Sequence, residues 1–276
     1  MISTITDQEK KDGIFLRKRI FSEGQLQGIR QAIINTVLIV DGKEANSISL
    51  NVALDFKKIT TEMFRDVFTR KPYLRRVIPA VLRNLPEVKS LSSHSDIQLA
   101  LKAAGVLLPI ERSISVQVWL PWETIFHEEL HQDTGGILSE NSWTIQVPLH
   151  NVTSEEGAVE IYPGTYKFGV IPLELVQDEH NGYFYETCGD KHTKAATPQV
   201  TDIQYGDAFF FKCLNIHQTS KYQSEIRFSI VIRFDDLSQA PILKNGHNPF
   251  TSEIRSYNLS VWEDQLETFL LNYEVE

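Results

Sequence analysis

Cysteine is scarce in this chain, and long apolar runs are missing. Cys188 and Cys213 are the only cysteines among 276 residues and lie far apart, so a disulfide framework is excluded and a reducing compartment is expected. No apolar run reaches the ~18 residues of a membrane helix. Residues 1–21 carry charges throughout and lack the apolar core of a signal peptide. We therefore expect a cytoplasmic protein with no membrane partner.

A surplus of positive charge is also missing. The chain has 27 Lys and Arg against 36 Asp and Glu, a formal net charge of −9. Nucleic-acid binding rests mainly on clustered cations that neutralise phosphates, so we expect no nucleic-acid partner. The hydrophobic share of 42% is ordinary for a globular protein. The oligomeric state is left open by these numbers.

The first hundred residues are patterned mainly as helices. Ser22 stands three positions before Gln25 in a capping-box arrangement, and apolar residues then recur at helical spacing. Residues 60–82 predict two short helices interrupted near Pro72, and residues 95–104 predict a third that stops at Gly105. A second capping box at residues 260–263 predicts a C-terminal helix packed on the sheet.

The pattern changes to period two from Ile114 onward, which is typical of strands. Strands are predicted at residues 114–120, 143–149, 158–162, 208–212 and 226–234. Because no helices lie between them, a sandwich or jelly roll is favoured over a parallel sheet. We expect one domain over 1–276, with a mainly helical N-terminal layer (1–112), a jelly-roll core (113–234) and a C-terminal extension (235–276). Residues 177–199 show little periodicity, and we expect them to form a lid or binding segment.

One motif around residue 130 suggests zinc. His127, Glu128 and His131 match HExxH, in which two histidines on one helix face bind zinc and the glutamate activates a water. A helix is needed for that geometry, yet a turn-rich segment starts at Asp133 and the preceding residues alternate as a strand. A zinc metallopeptidase is therefore kept as the alternative.

A second motif overlaps the first. His131 and Asp133 form an HxD pair whose side chains share one face of an extended chain. With one more histidine, such a pair makes the two-histidine, one-carboxylate triad that leaves three iron positions open in non-haem oxygenases. His217 is the best candidate, because it lies between two predicted strands. Ten residues beyond it stands Arg227, with Ser229 on the same strand face, and this arrangement suits a carboxylate ligand.

These residues together resemble the phytanoyl-CoA dioxygenase-like branch of the Fe(II)/2-oxoglutarate-dependent oxygenases. The resemblance covers residues 113–234 and includes the segment EGAVEIYPGTYK at 156–167 and the Tyr-Gly-Asp turn at 205–207. It implies a double-stranded β-helix (jelly roll) that holds Fe(II) through His131, Asp133 and His217. It also implies that Arg227 pairs with the distal carboxylate of 2-oxoglutarate. The resemblance places three further residues near the cosubstrate, namely Thr144, Ser229 and Gln117.

The resemblance further implies a reaction with O2 that releases succinate and CO2 while a small-molecule substrate is oxidised, with hydroxylation as the default outcome. A jelly-roll binding protein without turnover is a third possibility. Trp119 and Trp143 are candidates for the substrate pocket, although core packing is slightly favoured for both. Arg233 lies six residues beyond Arg227 on the same strand, roughly 20 Å away at strand rise. We expect it to have little effect on cosubstrate binding.

Overall fold

The computed structural model describes residues 5–45, 56–120, 122, 130–135, 137–172, 174–177, 184–194, 196–219 and 226–239. The helices are α1 (Asp7–Asp12), α2 (Glu23–Val40), α3 (Phe56–Arg70), α4 (Leu74–Leu82), α5 (Pro86–Lys89) and α6 (Ser95–Ala103). The strands are β1 (Ile14–Arg17), β2 (Pro109–Trp119), β3 (Trp143–Pro148), β4 (Val159–Ile161), β5 (Glu174–Gln177), β6 (Phe184–Thr187), β7 (Gln199–Val200), β8 (Ala208–Lys212), β9 (His217–Thr219) and β10 (Arg227–Asp236).

Two antiparallel sheets face each other across an apolar layer. The larger has the order β1-β8-β3-β10-β2, the smaller the order β7-β4-β9, and β5 pairs separately with β6. Phe209 and Phe211 of the larger sheet pack against Val159 and Ile161 of the smaller one. We call the face of the larger sheet that points toward the smaller sheet its inner face, and the opposite face its outer face.

The outer face of the larger sheet is covered by the N-terminal helices. Ile230, Ile232 and Phe234 of β10 belong to one large core that also includes the buried sides of α2, α3, α4 and α6. Because successive side chains of a strand point to opposite faces, the alternate residues of β10 point inward. The period-two pattern thus divides β10 into a packing face and a face that lines the space between the sheets.

The helices predicted within the first 105 residues are confirmed by the structure. Ser22 caps α2 with the predicted capping box to Gln25. α3 and α4 are separated at Pro72. α6 is followed by Gly105, whose φ of 86° is a left-handed conformation that glycine adopts readily.

Several further elements were not predicted, among them the short elements α1, α5, β7 and β9. The short strand β1 joins the edge of the larger sheet beside β8 within the segment expected to be mainly helical. Residues 177–199, expected to be irregular, contribute to β5 and contain β6. The C-terminal helix predicted after residue 260 lies outside the described residues. Within the described part of the chain, no helix is long and apolar enough to cross a membrane.

Candidate metal centre

The HxD pair is fixed by backbone bonds on both sides. His131 forms an antiparallel bridge with His217, in which each backbone N–H donates to the other residue's carbonyl at 2.9 and 3.0 Å. The Asp133 N–H donates to the carbonyl of Cys213 at 2.8 Å. Between them, the Gln132 amide donates to the Leu214 carbonyl at 2.7 Å. Gln132 is thereby held away from the face that His131 and Asp133 share.

His131, Asp133 and His217 converge on one point. Each offers one ligand atom, and these atoms all lie within 4.8 Å of one another. Nε2 of His217 is 3.9 Å from Oδ2 of Asp133. Asp133 and His217 are buried, and His131 is half-buried. His131 and His217 are 86 positions apart in the sequence. The bridge makes them neighbours, and β9 begins at His217 itself.

The histidine at the start of β9 is held in a form suited to metal binding. Nδ1 of His217 lies 2.9 Å from the carbonyl of Asn215, so Nδ1 carries the proton and Nε2 presents its lone pair toward Asp133 and His131. Burial, together with the neighbouring His131, lowers the pKa of His217 to about 3. The imidazole is consequently neutral at physiological pH, which a metal ligand requires.

The carboxylate of Asp133 accepts hydrogen bonds from two side chains. Nη2 of Arg233 lies 2.6 Å from Oδ1, and the Thr144 hydroxyl donates to Oδ2 at 2.6 Å. Burial is the largest single influence and raises the pKa of Asp133, but Arg233 and the two neighbouring histidines together outweigh it, so the pKa lies well below its usual range. The carboxylate is therefore ionised.

The contacts of Asp133 change two expectations. Arg233 is not remote from the site, because it reaches Asp133 directly and lines the same cavity as Arg227. The distance along β10 alone did not indicate this contact, because Asp133 comes from a different segment that passes over the far end of the strand. The hydroxyl of Thr144, expected to help bind the cosubstrate, is hydrogen-bonded to Asp133.

Arg227 lies at the other end of the same cavity. Its guanidinium is buried and donates to the Gly157 carbonyl and, at 3.3 Å, to the Thr219 hydroxyl. It also lies over the Trp119 ring, with Cζ 5.1 Å from the ring centroid. The cavity is lined by residues from both sheets: Gln117, Asp133, Thr144, Gln146, Val159, Phe211, His217, Thr219, Arg227, Val231 and Arg233.

The remaining predicted residues separate by strand face. Gln117 lines the cavity from β2. Ser229 is buried on the inner face and accepts a hydrogen bond from the Gln146 amide at 3.3 Å. Trp119 stands beside Arg227, but Trp143 lies on the outer face and packs against Phe15 with ring centroids 5.3 Å apart. Trp143 therefore belongs to the core and does not line the cavity.

Gln146, Thr219 and Phe211 line the cavity but were missed in the sequence. The alternation of side chains along a strand could have identified two of them. Gln146 lies two residues after Thr144, and Thr219 lies two residues after His217, so each shares a face with a predicted site residue.

The helix that the HExxH zinc motif requires is not found at His131. Residues 130–135 form no helix, and His131 takes part in a β-bridge instead. His127 and Glu128 lie outside the described residues. Because HExxH places its second histidine on a helix, the conformation at His131 opposes the metallopeptidase alternative.

Comparisons with known proteins agree with this geometry. The model of the family described as phytanoyl-CoA dioxygenase (PhyH) matches residues 11–228. No curated protein matches the chain. Similar solved structures include the non-haem α-ketoglutarate-dependent carbocyclase SnoK, at 18% identity and a TM-score of 0.55, over 91% of this chain and 94% of that one.

Two further structures share the fold. The epimerase SnoN, solved in complex with Fe3+, α-ketoglutarate and nogalamycin RO, is 13% identical with a TM-score of 0.53, over 89% of this chain and 91% of that one. The apo form of ThoJ, a non-haem monooxygenase, is 13% identical with a TM-score of 0.56, over 83% and 76%. These similarities confirm the predicted jelly-roll fold.

Proposed function

We propose a function from the premise that this chain belongs to the phytanoyl-CoA dioxygenase family, which the match over residues 11–228 shows. The chain is an oxygenase-type enzyme that depends on Fe(II), 2-oxoglutarate and O2. In our proposal it hydroxylates a small molecule and releases succinate and CO2. The observation that carries the proposal is the convergence of His131, Asp133 and His217 beside a cavity lined by two arginines.

The donor set of the cluster suits iron. Two neutral imidazoles and one carboxylate are the ligands of the facial triad in non-haem Fe(II) oxygenases. His131, Asp133 and His217 are the residues that would hold the metal. O2 is the oxidant of the reaction; when bound, the metal would activate it, and 2-oxoglutarate would supply two of the electrons that reduce it.

Arg227 is the residue that we assign to the distal carboxylate of 2-oxoglutarate. A planar guanidinium offers two parallel N–H donors to a carboxylate, and burial strengthens the resulting charge-assisted bonds. Thr219 and Gly157 hold the guanidinium within the cavity. The Trp119 ring covers one side and limits access of water to it. The orientation of the cosubstrate is therefore set by side chains of β2, β9 and β10.

A small organic molecule is the substrate class that we propose. SnoN was solved with the small molecule nogalamycin RO, and the fold of this chain is similar. The site is enclosed between two sheets instead of lying on an open surface, and such concave sites suit small ligands. Hydroxylation is proposed because it requires no group beyond those that the family uses.

An anaerobic titration tests the proposal. The protein is titrated with Fe(II) and then 2-oxoglutarate, and we expect the weak visible charge-transfer band of an iron–keto acid complex. Succinate release is then measured in air. His217→Ala should remove the band and most iron binding, and Trp143→Phe, on the outer face, should keep both. Full turnover in His217→Ala would show that the metal site is misassigned. Binding of 2-oxoglutarate without any succinate release would favour a binding protein.

A further inference from the structure

Asp133 is held from two neighbouring strands at once. Arg233 of β10 and Thr144 of β3 are directly opposite each other in the larger sheet. Both side chains point inward, and each donates to a different oxygen of the carboxylate, in both cases at 2.6 Å. Donors on both oxygens oppose rotation of the carboxylate, which a single hydrogen bond would allow. The sheet thereby fixes the plane of a side chain that comes from outside it.

The two oxygens of Asp133 have different surroundings. Oδ2 is the oxygen that lies 3.9 Å from Nε2 of His217, whereas Oδ1 is bound by Arg233. A carboxylate oxygen has two lone pairs, so Oδ2 can accept the hydrogen bond from Thr144 and still offer a lone pair to a metal. Oδ1 is engaged by a charge-assisted bond, which is roughly twice as strong as a neutral one.

We infer that Arg233 is a positioning residue that keeps Asp133 a ligand through one oxygen only. This inference rests on the proposed function, because it takes His131, Asp133 and His217 as the metal site. A facial triad is useful because three positions stay open for cosubstrate and O2. A carboxylate that rotated to bind through both oxygens would take one of those positions. By retaining Oδ1, Arg233 preserves the open positions without touching the cosubstrate.

Two other roles for Arg233 give different expectations. If its charge mainly repelled the metal, a neutral replacement would tighten metal binding. If it served only to stabilise the fold, its removal would lower the melting temperature without a specific change at the metal. A positioning role predicts weaker metal binding and a changed metal spectrum in a protein that is still folded. It also predicts that Thr144 and Arg233 depend on each other, because both act through Asp133.

The experiment compares Arg233→Met, Arg233→Lys, Thr144→Val and the double variant Arg233→Met/Thr144→Val. Each is titrated anaerobically with Co(II), an optical probe of metal coordination, and then with 2-oxoglutarate. Arg233→Met should weaken Co(II) binding about 10- to 100-fold, the usual range for loss of a residue that orients a metal ligand. Arg233→Lys should fall between Arg233→Met and the unaltered protein, because it keeps the charge but loses the planar donor pair.

The same titrations give two further signatures. The visible spectrum of the cobalt-loaded protein should change in Arg233→Met, and the metal-saturated variant should bind 2-oxoglutarate more weakly. In the double variant the loss of Co(II) affinity should differ from the product of the two single losses. Arg70→Met is the matched control, because Arg70 is also paired with a buried aspartate but is not part of the site. Its Nη2 lies 2.7 Å from Oδ2 of Asp41. It should keep the Co(II) affinity and the cobalt spectrum of the unaltered protein.

Unchanged or tighter Co(II) binding in Arg233→Met would overturn the inference. If that variant does not fold, Arg233→Lys decides in the same way. Failure of the proposed function has a separate signature, since Asp133→Ala would then keep its metal or the unaltered protein would bind none. Metal loss in Asp133→Ala together with normal metal binding and an unchanged spectrum in both Arg233 variants would remove the positioning role alone.

Discussion

The inner and outer faces of the larger sheet are built from the same strands but have different roles: the outer face packs in the core and the inner face lines the cavity. On β10, Phe228, Ile230 and Ile232 face the helices and are fully buried in the main core. Arg227 and Arg233, on alternate positions, face the cavity. A period of two therefore lets neighbouring residues serve stability and chemistry separately. We expect a substitution on β10 to affect either stability or the chemistry of the site, depending on which face of the sheet its side chain occupies.

The largest stability effect is expected at Phe228. Its ring is fully buried on the outer face and contacts Phe56 and Phe64 edge-on, at centroid distances of 5.9 Å in both cases. Phe228→Ala should lower the free energy of unfolding by about 3–5 kcal/mol, because transfer and cavity costs add. Chemical denaturation of the metal-free protein measures this. A decrease in the free energy of unfolding below about 1 kcal/mol would mean that packing on the outer face contributes little to stability.

Arg227 should show the opposite behaviour. Loss of one partner of a buried charged hydrogen-bonded pair typically costs about 2–5 kcal/mol of binding. Arg227→Met should therefore raise the dissociation constant of 2-oxoglutarate by about 30- to 3000-fold, at ~1.4 kcal/mol per tenfold. The affinity for iron should change far less, since Arg227 is not among the three converging groups. Titration of the iron-loaded variant measures this, and an unchanged constant would place the cosubstrate elsewhere.

His150 binds the backbone of β10 and gives a pH prediction. Its Nε2 accepts the Phe228 N–H at 3.0 Å, its Nδ1 lies 2.7 Å from the Asn151 carbonyl, and burial lowers its pKa to about 4. The unfolded chain takes up this proton below pH ~6.5, whereas the folded chain does so only near pH 4. The stabilisation is thus complete above pH 6.5 and declines as the pH falls toward 4, by about 3 kcal/mol in total.

The control for this pH effect is His150→Asn, which removes the titrating ring. Its unfolding free energy should fall less steeply between pH 6.5 and 4 than that of the unaltered protein, with both measured without metal. Parallel pH profiles would show that His150 is not buried in its neutral form.

The smallest effect is expected far from both faces. Ser22 caps α2, accepting the N–H of Gln25 at 3.3 Å. Ser22→Ala should cost about 0.5–2 kcal/mol of stability and leave cosubstrate binding unchanged. Thermal unfolding with a parallel 2-oxoglutarate titration checks both expectations. A loss of cosubstrate affinity would mean that the helical layer directly influences cosubstrate binding in the cavity.

Strand parity made much of the site predictable from the sequence. Alternation placed Arg227 and Ser229 on one face, and the spacing of His131 and Asp133 placed both on one side of an extended segment. The position of Arg233 relative to Asp133 was not predictable in this way, because it depends on where a second segment crosses the strand. The short strand β1 was missed because four residues carry too little periodicity to distinguish a strand from a turn.

The most direct test of the account compares two adjacent residues, Arg227 and Phe228. Arg227→Met and Phe228→Leu are each loaded with Fe(II) without oxygen and titrated with 2-oxoglutarate, while the visible charge-transfer band is followed. We predict that Arg227→Met needs at least about thirtyfold more 2-oxoglutarate. Phe228→Leu should show the midpoint of the unaltered protein despite its lower melting temperature. Equal midpoints in the two variants would contradict the division of β10 into a chemical face and a packing face.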